Sequence, residues 1–66
     1  MKLKINGEIK EVHQSITVNK LLEDLQVKPE GKIIVINQEI LQKDNWEEYQ
    51  LCENDEIEII TMVGGG

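Results

Sequence analysis

Side chains that could do chemistry are sparse in this chain. The single histidine, His13, has no companion at metal-ligand spacing, and the single cysteine, Cys52, has no base near it in sequence. A lone histidine beside a strand is typically a surface residue, and we expect His13 to be one. Cys52 is either a small buried thiol or an acceptor of persulfide sulfur. The first interpretation is favoured, because flanking carboxylates disfavour a thiolate.

The carboxylates near the C-terminus are spread along the chain and do not form a pair: Glu53, Asp55, Glu56 and Glu58. They could attract a cation, but they lack the ligand spacing of a calcium-binding loop. A solvated strand face explains them better, and we predict no metal site.

The most informative residues are the last ones, Met62-Val63-Gly64-Gly65-Gly66. Three glycines cost conformational entropy to order and add no side chain to a core, so packing does not account for them. Extended, they span about 10 Å, enough to pass a carboxylate through a narrow channel into another protein's active site. The other interpretation at this point is an inert, flexible end.

The composition limits the class of protein to which such a tail can belong. A chain of 66 residues with 39% hydrophobic residues predicts one small folded domain, without room for a deep catalytic cleft. Thirteen acidic residues against seven lysines give a net charge of -6, so nucleic acid is not an expected partner. Neither a signal sequence nor a run long enough to span a membrane is visible, and one cysteine cannot form an internal disulfide. We therefore expect a cytoplasmic location.

The elements that would position the tail follow from the apolar spacing. Lysine alternates with leucine and isoleucine at the N-terminus, and Asn6-Gly7 then suits a type I′ turn, so residues 1 to 12 predict a β-hairpin. In the return strand Ile9 and Val12 have opposite parity. This predicts a bulge or an early exit from the sheet, and the register stays open.

One helix is predicted, because four apolar residues fall on one helical face: Val18, Leu21, Leu22 and Leu25. Thr17 suits the N-cap, and Ile16 and Leu21 then occupy the two positions of a hydrophobic staple. The helix should end before Pro29.

Short elements come after the helix. The β-branched run at residues 33 to 36 predicts a strand buried on both faces, and the next two residues, 37 and 38, predict a tight turn into a short strand at 39 to 41. Beyond it, a single helical turn should place both aromatic rings over the core. The residues of this turn are the possible caps Asp44 or Asn45 and the aromatic Trp46 and Tyr49.

The last strand is predicted over residues 56 to 63, after a turn at 53 to 55. Alternation assigns three of its residues to the core: Ile57, Ile59 and Val63. Ile60 and Met62 have the opposite parity. They are candidates for an outward docking anchor beside the tail.

The element order predicts an α+β fold. If the last strand lies beside the first, the helix is a crossover packed on one face of a mixed sheet of four to five strands, the ubiquitin-like β-grasp arrangement. We divide the chain into a domain over residues 1–63 and a flexible glycine tail over 64–66. A ferredoxin-like fold would need a second full helix, which the sequence does not contain.

Over its whole length the chain resembles the sulfur-carrier proteins of thiamine synthesis, the ThiS family. The resemblance consists of separate pieces: a first strand ending at Asn6, Thr17-Val18 opening a helix with Leu21, Leu22 and Leu25, the segment Ile36-Asn37-Gln38-Glu39-Ile40, Trp46, Asp55 and the terminal glycines. The tail is the specific piece. Asn54 replaces a glycine that many relatives carry, a mild departure because asparagine tolerates the same left-handed backbone. Three glycines instead of two leave open whether the last one is trimmed.

The resemblance implies a mechanism that partner enzymes carry out. An E1-like adenylating enzyme would bind the sheet face and use ATP and magnesium to form an acyl-adenylate on Gly66. Persulfide sulfur, ultimately from a cysteine desulfurase, would then give a thiocarboxylate for thiazole synthase. The chain would bind no cofactor and would be a protein co-substrate, not an enzyme. Its expected partner-binding residues are Gly64, Gly65, Ile60 and Met62.

Two other functions stay open on the sequence. The small subunit of molybdopterin synthase has a similar fold and tail, but such relatives tend to be longer and to carry prolines before the glycines, which residues 60 to 63 lack. A non-covalent ubiquitin-like binding module would be indifferent to loss of the tail.

Overall fold

The computed structural model describes residues 1–63. Its strands, helix and 3₁₀ turn follow the predicted order: β1 (Lys2–Ile5), β2 (Glu8–Glu11), α1 (Val18–Asp24), β3 (Lys32–Ile36), β4 (Glu39–Leu41), the 3₁₀ turn (Lys43–Asn45) and β5 (Glu56–Thr61). Gly64, Gly65 and Gly66 lie outside the described residues. The division at residue 63 therefore stays a prediction.

The strands form one mixed sheet in the order β2-β1-β5-β3-β4. β5 pairs in parallel with β1 and antiparallel with β3, while the hairpin partners β2 and β4 form the two edges. The last strand thus lies beside the first, as predicted. This confirms the β-grasp arrangement with one helix.

Two tight turns behave as their sequences predict. Asn6 and Gly7 have φ angles of 50° and 85°, and Asn37 and Gln38 have φ angles of 50° and 72°. Positive φ at both central residues is the mark of the type I′ hairpin turn, whose twist matches that of the flanking strands.

The return strand β2 pairs with β1 in a continuous register without a bulge. Ile9 lies opposite Lys4 on the sheet face away from the core and is 72% exposed. β2 ends at Glu11, so Val12 lies beyond the strand, where it packs against the core while its N–H donates to the Met1 carbonyl at 2.8 Å. The strand end, not a bulge, explains the opposite parity.

The helix begins where predicted. Thr17 is the N-cap, and its hydroxyl accepts a hydrogen bond from the Lys20 N–H at 3.2 Å. Ile16 and Leu21, the predicted staple residues, are both buried. The helix ends with Leu25 as C-cap, before Pro29. Its apolar face packs on the sheet in one cluster of buried residues: Leu3, Ile5, Ile16, Val18, Leu21, Leu22, Ile34, Ile36, Trp46, Leu51 and Ile57.

Only one of the two aromatic rings joins this core. Trp46 is buried, and its indole N–H donates to the Leu41 carbonyl at 3.0 Å, whereas Tyr49 is 36% exposed. The predicted single helical turn is present and Trp46 is buried as predicted, but the turn begins at Lys43 after Gln42, so the predicted caps Asp44 and Asn45 are wrong, as is the burial of Tyr49. The i, i+3 spacing of the rings therefore does not lie on a helix.

Two further predictions of core residues are wrong. Val63 is 87% exposed because β5 ends at Thr61. β3 is buried on one face only. Ile34 and Ile36 face the helix, while Ile33 and Val35 are half-buried on the other face, which α1 does not cover.

Side chains tie the start of β5 to the turn between β3 and β4. The Asn37 amide donates to the Asp55 carboxylate at 3.0 Å, and the Asn37 side-chain oxygen accepts from the Glu56 N–H at 3.0 Å. Asp55, only 9% exposed, also accepts from the Cys52 N–H at 2.8 Å. A buried carboxylate with such partners stabilises the fold, because each bond replaces lost hydration.

Replacing Asn37 with glycine should lower the free energy of unfolding by about 1 to 3 kcal/mol, because it removes one hydrogen bond to the buried Asp55 carboxylate and one from the Glu56 N–H while keeping the positive φ. Gln38→Gly, at the neighbouring position of the same turn, is the control and should change stability little. Urea unfolding monitored by Trp46 fluorescence measures both. Equal stabilities of the two variants would show that the Asn37 side chain contributes nothing.

Candidate docking face and tail exit

The strand that leads to the tail is the centre of the sheet. β5 lies between β1 and β3, and one more hydrogen bond, from the Met62 N–H to the Gly31 carbonyl at 2.8 Å, extends its pairing with β3. Val63 then projects into solvent. The fold therefore directs the chain outward at Val63, where another protein can reach it.

Apolar side chains gather on the sheet face away from the helix. The register pairs Ile33 with Ile60 and Val35 with Ile40 across neighbouring strands. These four side chains lie on the outer face of the sheet, whereas Ile34, Ile36 and Ile57 point to the helix on the other face. Met62 shares the parity of Ile60. We call this group the outer apolar patch: Ile33, Val35, Ile40, Ile60 and Met62.

This patch is accessible in the described part of the chain. Ile40 is 65% exposed, Met62 57% and Ile60 42%. Contiguous exposed apolar residues on a small soluble domain typically mark a protein interaction site. The patch runs directly into the tail exit, so one partner could contact both.

The patch has a charged border. Glu58 pairs with Val35 across β5 and β3, and Glu56 forms an ion pair with Lys4 at 3.7 Å. Both carboxylates are solvated, in agreement with the predicted strand face. Exposed acids around an apolar centre favour a partner with basic residues at the rim, chiefly through the association rate.

Ile60 and Met62 point away from the core, where their parity places them, and their role in binding stays a prediction. The other three patch residues, Ile33, Val35 and Ile40, were not predicted from the sequence. The first two were assigned to a strand buried on both faces, because a β-branched run does not reveal which face is left uncovered. Gly64, Gly65 and Gly66 are beyond the described residues.

The candidate metal ligand, His13, and the candidate nucleophile, Cys52, are both on the surface. His13 is exposed, as predicted, but Cys52 is exposed as well, so the expectation of a buried thiol is wrong. The turn that Asp55 stabilises leaves the Cys52 side chain outside the core. Burial raises the pKa of the Tyr49 phenol, and the negative charge of Asp55 raises it further.

Residues 1–63 contain no group of three histidine, cysteine or acidic side chains that could hold a metal ion. Within the same residues, α1 is too short and too polar to cross a membrane.

The family model of ThiS matches residues 3–66. The chain belongs to the ThiS family. It is 39% identical over 67 residues to the sulfur carrier protein ThiS of Bacillus subtilis, an alignment that covers 97% of this chain and 98% of the relative. It is 27% identical to ThiS of Escherichia coli, with both chains covered completely.

Two other similarities concern a solved structure and a larger protein. This ThiS-family chain superimposes on the crystal structure of the thiamine biosynthesis protein ThiS from Geobacter metallireducens with a TM-score of 0.89, at 29% identity and with both chains covered completely. It is also 36% identical to part of a thiazole synthase from Paramagnetospirillum magneticum, where all of this chain aligns with 20% of that protein.

If an E1-like adenylating enzyme is the partner, as the sequence predicts, Met62→Glu should weaken binding to that enzyme from the same organism by about tenfold or more, on the order expected when a charge enters an apolar contact. Stability should change by less than about 0.5 kcal/mol, because Met62 is exposed. Ile9→Glu is the matched control, since Ile9 is also exposed on the same sheet face but lies on β2. Isothermal titration calorimetry measures binding and thermal melting measures stability. Unfolding of Met62→Glu, or equal binding by both variants, would rule out a docking role for Met62.

Proposed function

We propose that this chain is the sulfur carrier for the thiazole of thiamine and that the carrying group is the Gly66 carboxylate. The observation that carries the proposal is a central strand whose end leaves the fold at Val63, followed by three residues without side chains, in a member of the ThiS family. Relatives named sulfur carrier proteins support it.

The chemistry begins with activation, because a carboxylate resists nucleophilic attack while its charge is delocalised. A Gly66 oxygen attacks the α-phosphorus of ATP in the active site of an E1-like enzyme, and pyrophosphate leaves. Magnesium bound by that enzyme neutralises the phosphates. The product is an acyl-adenylate, in which AMP is a good leaving group.

Sulfur transfer then takes two steps. The terminal sulfur of a persulfide, supplied ultimately by a cysteine desulfurase, attacks the Gly66 carbonyl carbon and AMP leaves. A second thiol then cleaves the sulfur–sulfur bond, forms a disulfide with the persulfide's original cysteine, and releases the thiocarboxylate. Thiazole synthase accepts this sulfur, and the similarity to part of a protein of that name supports it as a partner.

This chain contributes positioning, and its partners contribute the catalytic groups. The outer apolar patch binds the partner, β5 directs the tail, and the glycines fit a channel too narrow for side chains.

Cys52 lies far from the start of the tail. Cys52 precedes β5 and Val63 follows it, so roughly 20 Å of strand separates them, more than the tail of about 10 Å can cover. This separation supports sulfur transfer at Gly66 without Cys52 as an intermediate. We place the reaction in the cytoplasm, in keeping with a single exposed cysteine.

Cys52→Ser should retain nearly full conversion to the thiocarboxylate, whereas deletion of Gly66 should abolish it. The deletion moves the terminal carboxylate by one residue, about 3.5 Å, which misaligns it for attack on ATP. Intact-mass measurement after incubation with the adenylating enzyme, ATP and a sulfur donor reports the exchange of oxygen for sulfur.

A chain that ends at Val63 is the control for folding. Its thermal melt should match that of the full chain, because Val63 is already exposed. Conversion by the protein without Gly66, or loss of conversion in Cys52→Ser, would contradict the proposed carrier group.

A further inference from the structure

The C-terminal half of β5 has one edge that the rest of the sheet does not cover. Backbone groups of a strand point alternately to its two neighbours. The Glu56 carbonyl accepts from Asn37 and the Met62 N–H donates to Gly31, both at 2.8 Å, so the even-numbered residues of β5 face β3. The odd-numbered residues face β1.

On the β1 side the pairing stops early, because the β1–β5 register ends at Ile57. Asn6 then takes the place of one more strand residue. Its N–H donates to the Ile57 carbonyl at 2.9 Å, and its side-chain oxygen accepts from the Ile59 N–H at 2.8 Å. At Gly7 the chain turns back into β2.

Four backbone groups beyond this point have no partner within residues 1–63: the carbonyl of Ile59, the N–H and carbonyl of Thr61, and the N–H of Val63. Thr61 and Val63 are exposed. Together these groups form a strand edge that leads directly to the glycines. We call it the free edge of β5.

The tail limits how any enzyme can hold it. Glycines offer no side chain to a pocket, so a protein that fixes Gly66 in an active site must bind the backbone. Strand pairing is the way in which proteins bind an extended backbone, and it favours a segment next to an already ordered strand. Three residues beyond Val63 are too short to carry a separate recognition element.

We propose that a short extended segment of the adenylating enzyme pairs with the free edge of β5 and continues along the tail. The inference rests on the proposed function. The turn at Gly7 limits the segment to a few residues, and Gly7 itself leaves space there, since an added Cβ would meet no atom within 4 Å. The segment thereby holds β5 and the tail as one strand.

Amide hydrogen exchange of the full chain tests the pairing directly. In the free protein Thr61 should exchange faster than Ile60 and Met62, whose N–H groups face β3. In complex with the adenylating enzyme and ATP, the Thr61 N–H should become protected by at least about tenfold, the effect of one stable hydrogen bond. A Thr61 N–H that stays as fast as in the free protein within a formed complex would overturn the proposal.

A backbone substitution gives a second, independent test. Chemical synthesis can replace the Thr61 N–H by an ester oxygen and leave every side chain in place. Binding to the enzyme should then weaken by about five- to tenfold, the value of one hydrogen bond. The same change at Ile9 is the matched control, because Ile9 has its N–H on the open edge of β2.

The outcomes separate this inference from the function on which it rests. Wild-type conversion to the thiocarboxylate, with equal affinities of the Thr61 and Ile9 esters, would reject the strand pairing and leave the carrier function intact. Absence of conversion in the wild-type protein would reject the carrier function itself.

Discussion

β5 pairs with β1 on one side and with β3 on the other, and both the core and the tail exit depend on this position. Pairing with β1 brings the first and last strands together and requires the helix to cross over one sheet face. The hydrogen bonds of Asn37 and Asp55 tie the start of the strand in place. The central position of β5 and the hydrogen bonds at its start fix where the chain leaves the fold.

The two faces of the sheet serve different purposes. One face carries the buried cluster beneath α1, which supplies the stability of a domain too small to have much surplus. The other carries the outer apolar patch, which adds nothing to the core and leaves hydrophobic area in water. Contiguous exposed apolar area on a small domain typically marks a protein interaction site. The arrangement agrees with a protein that contributes a binding surface and a terminal carboxylate while other proteins contribute the catalytic groups.

Much of the fold could be predicted from local sequence. Asn6-Gly7 and Asn37-Gln38 specify their turns through backbone preference, and Thr17 specifies the start of the helix, because these effects act within a few residues.

Burial was harder to predict, since it depends on which other elements pack against a sheet face. The β-branched run of β3 predicts a strand but not that its outer face lacks a cover, and alternation assigned Val63 to the core although the strand ends before it. Cys52 is exposed because its turn, in which the Cys52 N–H donates to the Asp55 carboxylate three residues later, leaves the side chain outside the core. In the candidate site, the alternation along the last strand indicates Ile60 and Met62. The other three patch residues, Ile33, Val35 and Ile40, can be assigned only once the pairing of the strands is known.

The position of the transferred sulfur tests the carrier role of Gly66 most directly. Fragmentation of the intact wild-type protein after reaction with the adenylating enzyme, ATP and a sulfur donor locates the mass change along the chain. We expect that only fragments containing Gly66 carry the additional sulfur and that Cys52 still reacts as a free thiol. Sulfur on fragments containing Cys52, with an unchanged C-terminal fragment, would contradict a carrier role of the Gly66 carboxylate.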